Sequence, residues 1–240
     1  MKAENILFTG GSGLLGGEVK QLLPQAYYPS STEFNVTNFH QMQAYLQDKT
    51  IELLIHAAAF TSPPMVDKTP QQGIDANIIG TAHVVKLCMT HQIKLFYIST
   101  DYVFKGDKGL YQEADPVYPV NKYAWSKLGG ECAVRMYDNS LIIRTSFGPN
   151  VFPFPKAFVD QLTSREPVRS IAQKLVALID QPITGTIHVG GPRRSVYEYA
   201  KSLDPNQEIG KLSTQEVSFK VPQDTSLACD YYHTLVSSKE

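Results

Sequence analysis

The sequence predicts an α/β fold: a doubly wound parallel sheet followed by a small C-terminal lobe. Three observations carry that prediction. Short apolar runs rich in β-branched and aromatic residues alternate with longer helical patterns, the arrangement of βαβ units. A glycine-rich turn joins the first run directly to the first helix. The regular alternation gives way at Phe147-Gly148-Pro149-Asn150 to a stretch of Gly, Pro and Phe that extends through Pro155.

Taken in chain order, strands are expected at residues 5–9, 25–29, 52–56, 94–99, 140–144 and 186–189. Helices are expected between them at 14–23, 38–49, 74–91 and 121–137, with Thr37 as N-cap of the second. Beyond residue 147 the pattern predicts helices at 156–164, 171–180 and 196–203, then an irregular C-terminal stretch. With 42% hydrophobic and 19% charged residues the chain can bury a substantial core. A net charge of -1 and scattered basic residues give no electrostatic case for nucleic acid, and Arg193-Arg194 is too short a cluster to track phosphates. No apolar stretch approaches the roughly 20 residues that span a bilayer, and the N-terminus lacks a secretory pattern. Cys88, Cys132 and Cys229 stand in no metal or redox spacing, which suits reduced structural thiols and a cytoplasmic protein.

The glycine-rich turn reads Thr9-Gly10-Gly11-Ser12-Gly13-Leu14-Leu15-Gly16. Gly10 permits the tight strand-to-helix turn, Gly13 lets backbone approach a pyrophosphate, and Gly16 lets the helix pack closely on the sheet. Backbone N–H groups and the helix dipole then hold the anion. Gly10, Ser12, Gly13, Leu14, Leu15 and Gly16 are therefore candidate contacts to a nicotinamide dinucleotide, NADP or NAD. Residues 1–146 become a dinucleotide-binding Rossmann-type domain. Residues 147–240 form mainly a substrate-binding lobe, with the strand near 186–189 returning to the main sheet.

Tyr123-Ala124-Trp125-Ser126-Lys127 sets a phenol and an ammonium four residues apart on one helix face. A nearby cation favours the ionised phenol, bringing tyrosine toward a useful acid/base range. Ser99-Thr100 ends the preceding strand, where ligands bind in open parallel sheets, and a hydroxyl there can hold a substrate carbonyl beside Tyr123.

These residues belong to a longer pattern. Ser99-Thr100-Asp101-Tyr102-Val103-Phe104-Lys105-Gly106 is followed by Gly109, Tyr111, Glu113, Asp115, Pro119, Asn121 and Tyr123-Ala124-Trp125-Ser126-Lys127-Leu128-Gly129-Gly130-Glu131. The pattern resembles the dTDP-4-dehydrorhamnose reductase branch of the extended short-chain dehydrogenases. Weaker similarity covers Ala57-Ala58-Ala59-Phe60-Thr61, Asp75 with Asn77 and Gly80-Thr81, Arg144-Thr145-Ser146, and a late Pro/Asp/Ser-Leu element at Val221-Pro222-Gln223-Asp224-Thr225-Ser226-Leu227. The resemblance implies that Thr100, Tyr123 and Lys127 are catalytic, Tyr123 protonating a C4 ketone as NAD(P)H delivers hydride. It implies that Lys127 also holds the nicotinamide ribose, and that Ser30, Asn35, Ala57, Ala58, Ala59, Asn77 and Ser99 contribute to the cofactor site. Thr61, Asp101 and Tyr102 are the implied substrate contacts, for a nucleotide-sugar substrate, and a homodimer is left open.

Three departures from the family bear on the substrate. Ser30-Ser31-Thr32 stand near the expected adenosine ribose with neither acid nor arginine among them, and Asn35-Val36 replaces the usual aspartate and apolar pair. Thr61-Ser62-Pro63-Pro64-Met65-Val66-Asp67 is a longer, proline-rich loop. The segment from Arg165 to Ile171 lacks the family's DQ and SPT-like elements, and the Phe147 to Pro155 loop is compressed. The expected activity is reduction of a 4-keto nucleotide sugar. The alternatives are a sugar-nucleotide epimerase or dehydratase, with Asp101 as the extra acid, and a non-catalytic dinucleotide-binding regulatory subunit.

Overall fold

The computed structural model describes residues 1–218 and 220–237; residues 219 and 238–240 of the expected lobe lie outside the described residues. The central sheet comprises β1 (Ile6–Thr9), β2 (Leu53–His56), β3 (Lys94–Thr100), β4 (Ser140–Thr145) and a later strand at Gly185–Val189, hydrogen-bonded in that order and all parallel. Every residue of β1, β2 and β4 is buried, as expected for strands covered on both faces. Helices α1 (Leu14–Leu22), α2 (Phe39–Leu46), α3 (Pro63–Lys68), α4 (Pro70–Gly73), α5 (Gly80–His91) and α6 (Lys122–Val134) connect the strands. One core packs Phe8, Leu15, Val19, Ile55 and Phe96 together, and another packs Leu7, Met42, Leu54, Val84 and Leu95.

The second half adds β5 (Phe147–Gly148), β6 (Lys156–Phe158), β7 (Leu162–Thr163), β8 (Glu166–Pro167), α7 (Val168–Ala177), β9 (Gly185–Val189), β10 (Arg194–Ser195), α8 (Val196–Leu203), β11 (Gly210–Leu212) and α9 (Asp230–Ser237). α7 packs against α1, and α7, β9 and Tyr232 of α9 join the core beneath the main sheet. A separate small core forms around Phe152, Ala157, Val196, Tyr199 and Ile209.

Several expectations change. The strand at 25–29 reduces to one parallel bridge, in which Phe8 N donates to Tyr27 O at 2.8 Å and Tyr27 N to Ile6 O at 2.8 Å. Pro24 and Pro29 bracket this segment and supply no N–H to extend a ladder. The helix at 156–164 is instead the two strands β6 and β7. Lys156, Ala157 and Phe158 alternate exposed, buried and half-buried, a period of two, and pair with Gly210–Leu212 far along the chain. The N-cap of α2 is Asn38, whose side chain accepts from Gln41 N, rather than Thr37. The proline-rich loop forms α3, with Pro63 in the helix's first turn, where the missing N–H costs nothing. Residues Ile74–Ile79, expected as ordinary helix, form a π turn leading into α5.

The winding of the sheet reverses at β1. The first crossover runs to Tyr27 on one side of it, and β2 lies on the other. Such a switch point opens a crevice at the carboxyl ends of the strands, and the candidate residues gather there.

Candidate active site

A cavity of about 650 Å³ runs along the carboxyl ends of β1 to β4. Gly10 to Gly16, Pro29, Ser31, Phe34, Asn35 and Val36 line one part, Ala57 to Ala59 the middle, and Ser99 to Tyr102, Tyr123 and Lys127 the other part. Gly10 has φ +81°, and a Cβ there would lie 2.8 Å from Ala58 N, so only glycine fits this turn from β1 to α1 against the exit of β2. A Cβ on Gly16 would collide with the Gly10 carbonyl oxygen and Gly11 Cα. Gly16 thus folds the loop onto its own helix, where the sequence suggested packing on the sheet. α1 begins immediately after Gly13, so its first N–H groups face the cavity.

α6 positions the phenol and ammonium. Asn121 caps it by accepting from Ala124 N at 2.9 Å, which places Tyr123 in the first turn and Lys127 one turn later. Lys127 is buried with its Nζ 4.1 Å from the centre of the Tyr97 ring, and Tyr97 OH donates to the Lys127 carbonyl at 3.1 Å. Burial lowers the Lys127 pKa to about 7, with Glu131 opposing. Burial raises the Tyr123 pKa well above the usual phenol value, while a hydrogen-bonding Thr100 hydroxyl pulls against it. The depression of Tyr123 by Lys127 that the spacing suggested is not observed, because desolvation dominates.

Thr100 and Ser99 divide their duties. Ser99 Oγ donates to Glu131 Oε1 at 2.6 Å, joining a buried pair in which Arg144 grips both Glu131 oxygens at 3.0 and 2.9 Å. Its hydroxyl is committed to the core. Thr100 Oγ1 accepts from Tyr102 N at 3.2 Å, donates to Asp101 Oδ1 at 3.1 Å and faces Tyr123.

Asp101 is buried, and its carboxylate accepts from Thr225 Oγ1 at 2.6 Å, Thr163 Oγ1 at 3.4 Å and Thr100 Oγ1 at 3.1 Å. These bonds tie the Asp224–Leu227 segment to the end of β3, and they occupy the oxygens that a dehydratase acid would need free. Tyr102 OH accepts from Gln161 Nε2 at 2.8 Å. Gln161 follows Asp160 in the sequence, so a DQ pair is present just ahead of β7, correcting the reading that looked for it only from Arg165 onward. Much of the long family pattern is scaffold. Tyr111 OH accepts from the amides of Gly106, Asp107 and Lys108, and Glu113 accepts from His188 N at 3.0 Å.

Two implied cofactor contacts do not line the cavity. Asn77 is fully buried in the π turn, where it donates to Phe60 O at 2.9 Å and Ser126 Oγ at 2.8 Å and accepts from Phe60 N at 2.8 Å. It clamps the strand β2 exit to α6. Ser30 turns away, its N and Oγ both donating to Glu33 Oε2, so an acid stands on the turn where Ser30 to Thr32 showed none. Thr61 and Asn35 do line the cavity, Asn35 with its Oδ1 accepting from Thr37 N and Oγ1. A buried relay crosses beneath these walls. Thr9 Oγ1 meets His56 Nδ1 at 2.8 Å, His56 Nε2 meets Thr81 Oγ1 at 3.1 Å, and Thr81 donates to Asn77 O at 2.7 Å.

Sequence reasoning passed over Thr145, Ser146, Phe147 and Arg165 as site residues. Thr145 and Ser146 had a usable signal, since they end β4 beside Ser99-Thr100. Thr145 Oγ1 and Arg165 Nε are buried without a hydrogen-bond partner, both on the cavity wall. Orphaned polar atoms on the wall of a cavity whose glycine loop tolerates no Cβ at Gly10 or Gly16 fit a polar dinucleotide and a polar substrate.

Fold and site define an NAD(P)-dependent oxidoreductase of the extended short-chain dehydrogenase/reductase type. Residues 4–176 match the model of the RmlD substrate binding domain family, and the chain belongs to that family. It is 27% identical over 259 residues to a dTDP-4-dehydrorhamnose reductase of Aggregatibacter actinomycetemcomitans, covering 96% of this chain and 86% of the relative. It is 24% identical over 278 residues to methionine adenosyltransferase 2 subunit beta of Rattus norvegicus, covering 97% and 83%. The solved dTDP-4-dehydrorhamnose reductase of Bacillus anthracis, in complex with NADP, superposes with a TM-score of 0.87 at 27% identity, covering 95% of this chain and 92% of that one. Among the described residues no helix is long and apolar enough to cross a membrane.

Proposed function

We propose that the protein reduces the C4 ketone of a nucleotide-linked sugar, with dTDP-4-dehydro-L-rhamnose the first substrate to test. The observation that carries this reading is the meeting of Thr100, Tyr123 and Lys127 on one wall of the cavity that Gly10 to Gly16 close at the other end. A bound reduced nicotinamide supplies the hydride. Thr100 Oγ1 and the Tyr123 phenol hold the carbonyl oxygen, polarising it toward the incoming hydride. As charge develops on that oxygen the Tyr123 proton passes to it, giving the C4 alcohol, and the phenol regains a proton from solvent. The high pKa of Tyr123 keeps the phenol protonated and ready to donate through the neutral range. Lys127 orients the nicotinamide ribose, and its proton, once the ligand's oxygens surround it, stabilises the transient phenolate.

The test is stoichiometry. Purified protein with a 4-keto nucleotide sugar should oxidise one equivalent of reduced dinucleotide per alcohol formed. An epimerase or dehydratase recycles its cofactor and would show none consumed. The relationship to the methionine adenosyltransferase beta subunit supports a second reading, a regulatory subunit; it would bind the dinucleotide, co-purify with a catalytic partner and turn over no nucleotide sugar.

A further inference from the structure

A hydroxyl has one proton to donate and two lone pairs to accept with. Thr100 Oγ1 donates to Asp101 Oδ1 at 3.1 Å and accepts from Tyr102 N at 3.2 Å, and what remains of it faces the Tyr123 phenol. So arranged, Thr100 has no proton left for a substrate carbonyl. The acid beside it fixes that arrangement. Asp101 Oδ2 is taken by Thr225 Oγ1 at 2.6 Å and Thr163 Oγ1 at 3.4 Å, and Oδ1 faces Thr100. An ionised Oδ1 can only accept, whereas a protonated one donates. Asp101 is buried, and that burial raises its pKa against the pull of Thr225, Arg165, Thr100 and Ser146.

The groups around Asp101 leave it as the one whose charge changes in mildly acid solution. Arg165, from the approach to β8, keeps its charge at every working pH. Tyr102, next along the chain, and Tyr123, from α6, are both pushed up by burial and stay protonated. Asp224, beside Thr225, is already paired with Arg193 at 2.7 Å.

We propose, on the reading of Thr100 and Tyr123 as the groups that hold the reacting carbonyl, that Asp101 is a positioning residue whose protonation turns the Thr100 hydroxyl toward the substrate. With a proton on Oδ1, Asp101 donates to Thr100 Oγ1, and the Thr100 proton is released to the carbonyl oxygen beside the phenol. The Asp101 proton stays on the carboxyl throughout; the proton that reaches the product still comes from Tyr123. With Asp101 ionised the carbonyl keeps the phenol as its donor and loses the threonine. Removing one donor from a developing oxyanion costs about 10²–10³ in turnover.

The test is the pH dependence of kcat from about pH 5 to about pH 9, with reduced dinucleotide and a 4-keto nucleotide sugar both saturating. The parent should lose at least about tenfold as pH rises through an apparent pKa above the ordinary carboxylate range. Asparagine has the shape of the protonated acid: its oxygen accepts from Thr225 and Thr163, and its amide donates to Thr100. Asp101→Asn should therefore hold its kcat where the parent's falls. Thr225→Val takes a donor from the ionised carboxylate, so in that variant the fall should move to higher pH. Lys127 also titrates, near pH 7 in the protein without ligand, and a fall that survives unchanged in Asp101→Asn belongs to it and overturns the proposal. A parent that is active with a flat profile overturns it as well, since Thr100 then turns to the substrate whatever the state of Asp101. If melting temperatures show that Asp101→Asn does not fold, Thr225→Val decides alone, and an unmoved profile counts against the proposal. A parent that turns over no 4-keto nucleotide sugar at any pH fails earlier, on the reductase reading itself.

Discussion

The half of the cavity proposed to hold the dinucleotide and the half proposed to hold the substrate are built in opposite ways. The first is local: Gly10 to Gly16 close on themselves, with Gly16 seated against Gly10 and Gly11, and the neighbouring wall is the short run Ala57 to Ala59. The second is assembled from distant segments. Tyr102 is held by Gln161, Asp101 by Thr163 and Thr225, and the remaining wall comes from Thr145 to Phe147 and Arg165. A local half carries its chemistry in consecutive residues and can be read from spacing. A distributed half depends on pairings such as Leu162 N to Gln223 O at 2.6 Å, which no window of sequence displays.

The sharpest way to separate the halves is to remove the proton donor. Tyr123→Phe should retain dinucleotide affinity and lose about two to four orders of magnitude in turnover, read by calorimetry and by initial rates with a 4-keto nucleotide sugar. Full activity in this variant would end the role given to the phenol. Two glycines then test the local half. A Cβ on Gly13 would meet only Gly10 O, at 3.3 Å, whereas one on Gly16 would strike backbone on both sides. Gly13→Val should therefore abolish dinucleotide binding with a nearly parental melting temperature, and Gly16→Val should lower both. Equal thermal losses in the two variants would show that the loop's glycines serve the fold alone.

The distributed half predicts a different signature. Thr225→Val keeps the side-chain shape but removes the 2.6 Å bond to Asp101, leaving a buried carboxylate oxygen with one donor fewer. Such a loss costs about 1–3 kcal/mol. Chemical denaturation should register it, and the KM for the nucleotide sugar should rise while dinucleotide affinity stays put. A matching rise in the dinucleotide Kd would mean the halves are less separate than the geometry indicates.

The same contrast explains what could be read in advance. The parallel sheet, α1, α6 and α8 follow from apolar periodicity and capping residues; α8 even carries a complete capping box between Ser195 and Glu198. β6 and β7 were hidden because their partners are β11 and β10, remote in sequence, and a short run such as Lys156-Ala157-Phe158 fits helix or strand equally well until a partner is known. Of the candidate residues, the glycines, Thr100, Tyr123 and Lys127 come together on one cavity. Ser99 and Asn77 are committed to buried partners and Ser30 to the neighbouring Glu33, a competition that residue type alone does not reveal. Gln161 was a visible letter whose place beside Tyr102 required the fold.

The smallest expected effect concerns Lys127, which belongs to both halves. Lys127→Met should weaken dinucleotide binding and turnover, yet the protein without ligand should become more stable in a pH-dependent way. Burial brings the folded-state pKa to about 7 from the ordinary lysine value of 10.5. Between those pH values the unfolded chain holds the proton that the folded chain has released, so parental stability climbs as pH rises through that window. Below about pH 7 the folded protein carries the buried charge at its full cost. Methionine carries none. The variant's advantage in melting temperature should therefore be greatest near pH 6 and shrink steadily toward pH 10. Packing differences at the Tyr97 ring add an offset, but an offset shifts every pH alike. Burial holds His56, which also feels Lys127, at a pKa of about 3, so it stays neutral in the folded protein across the range. Thermal unfolding of parent and variant at intervals from pH 6 to 10 reads the difference directly. A constant gap would mean that Lys127 keeps its proton in the folded protein, and that the ammonium sits in a better-solvated place than its position over Tyr97 indicates.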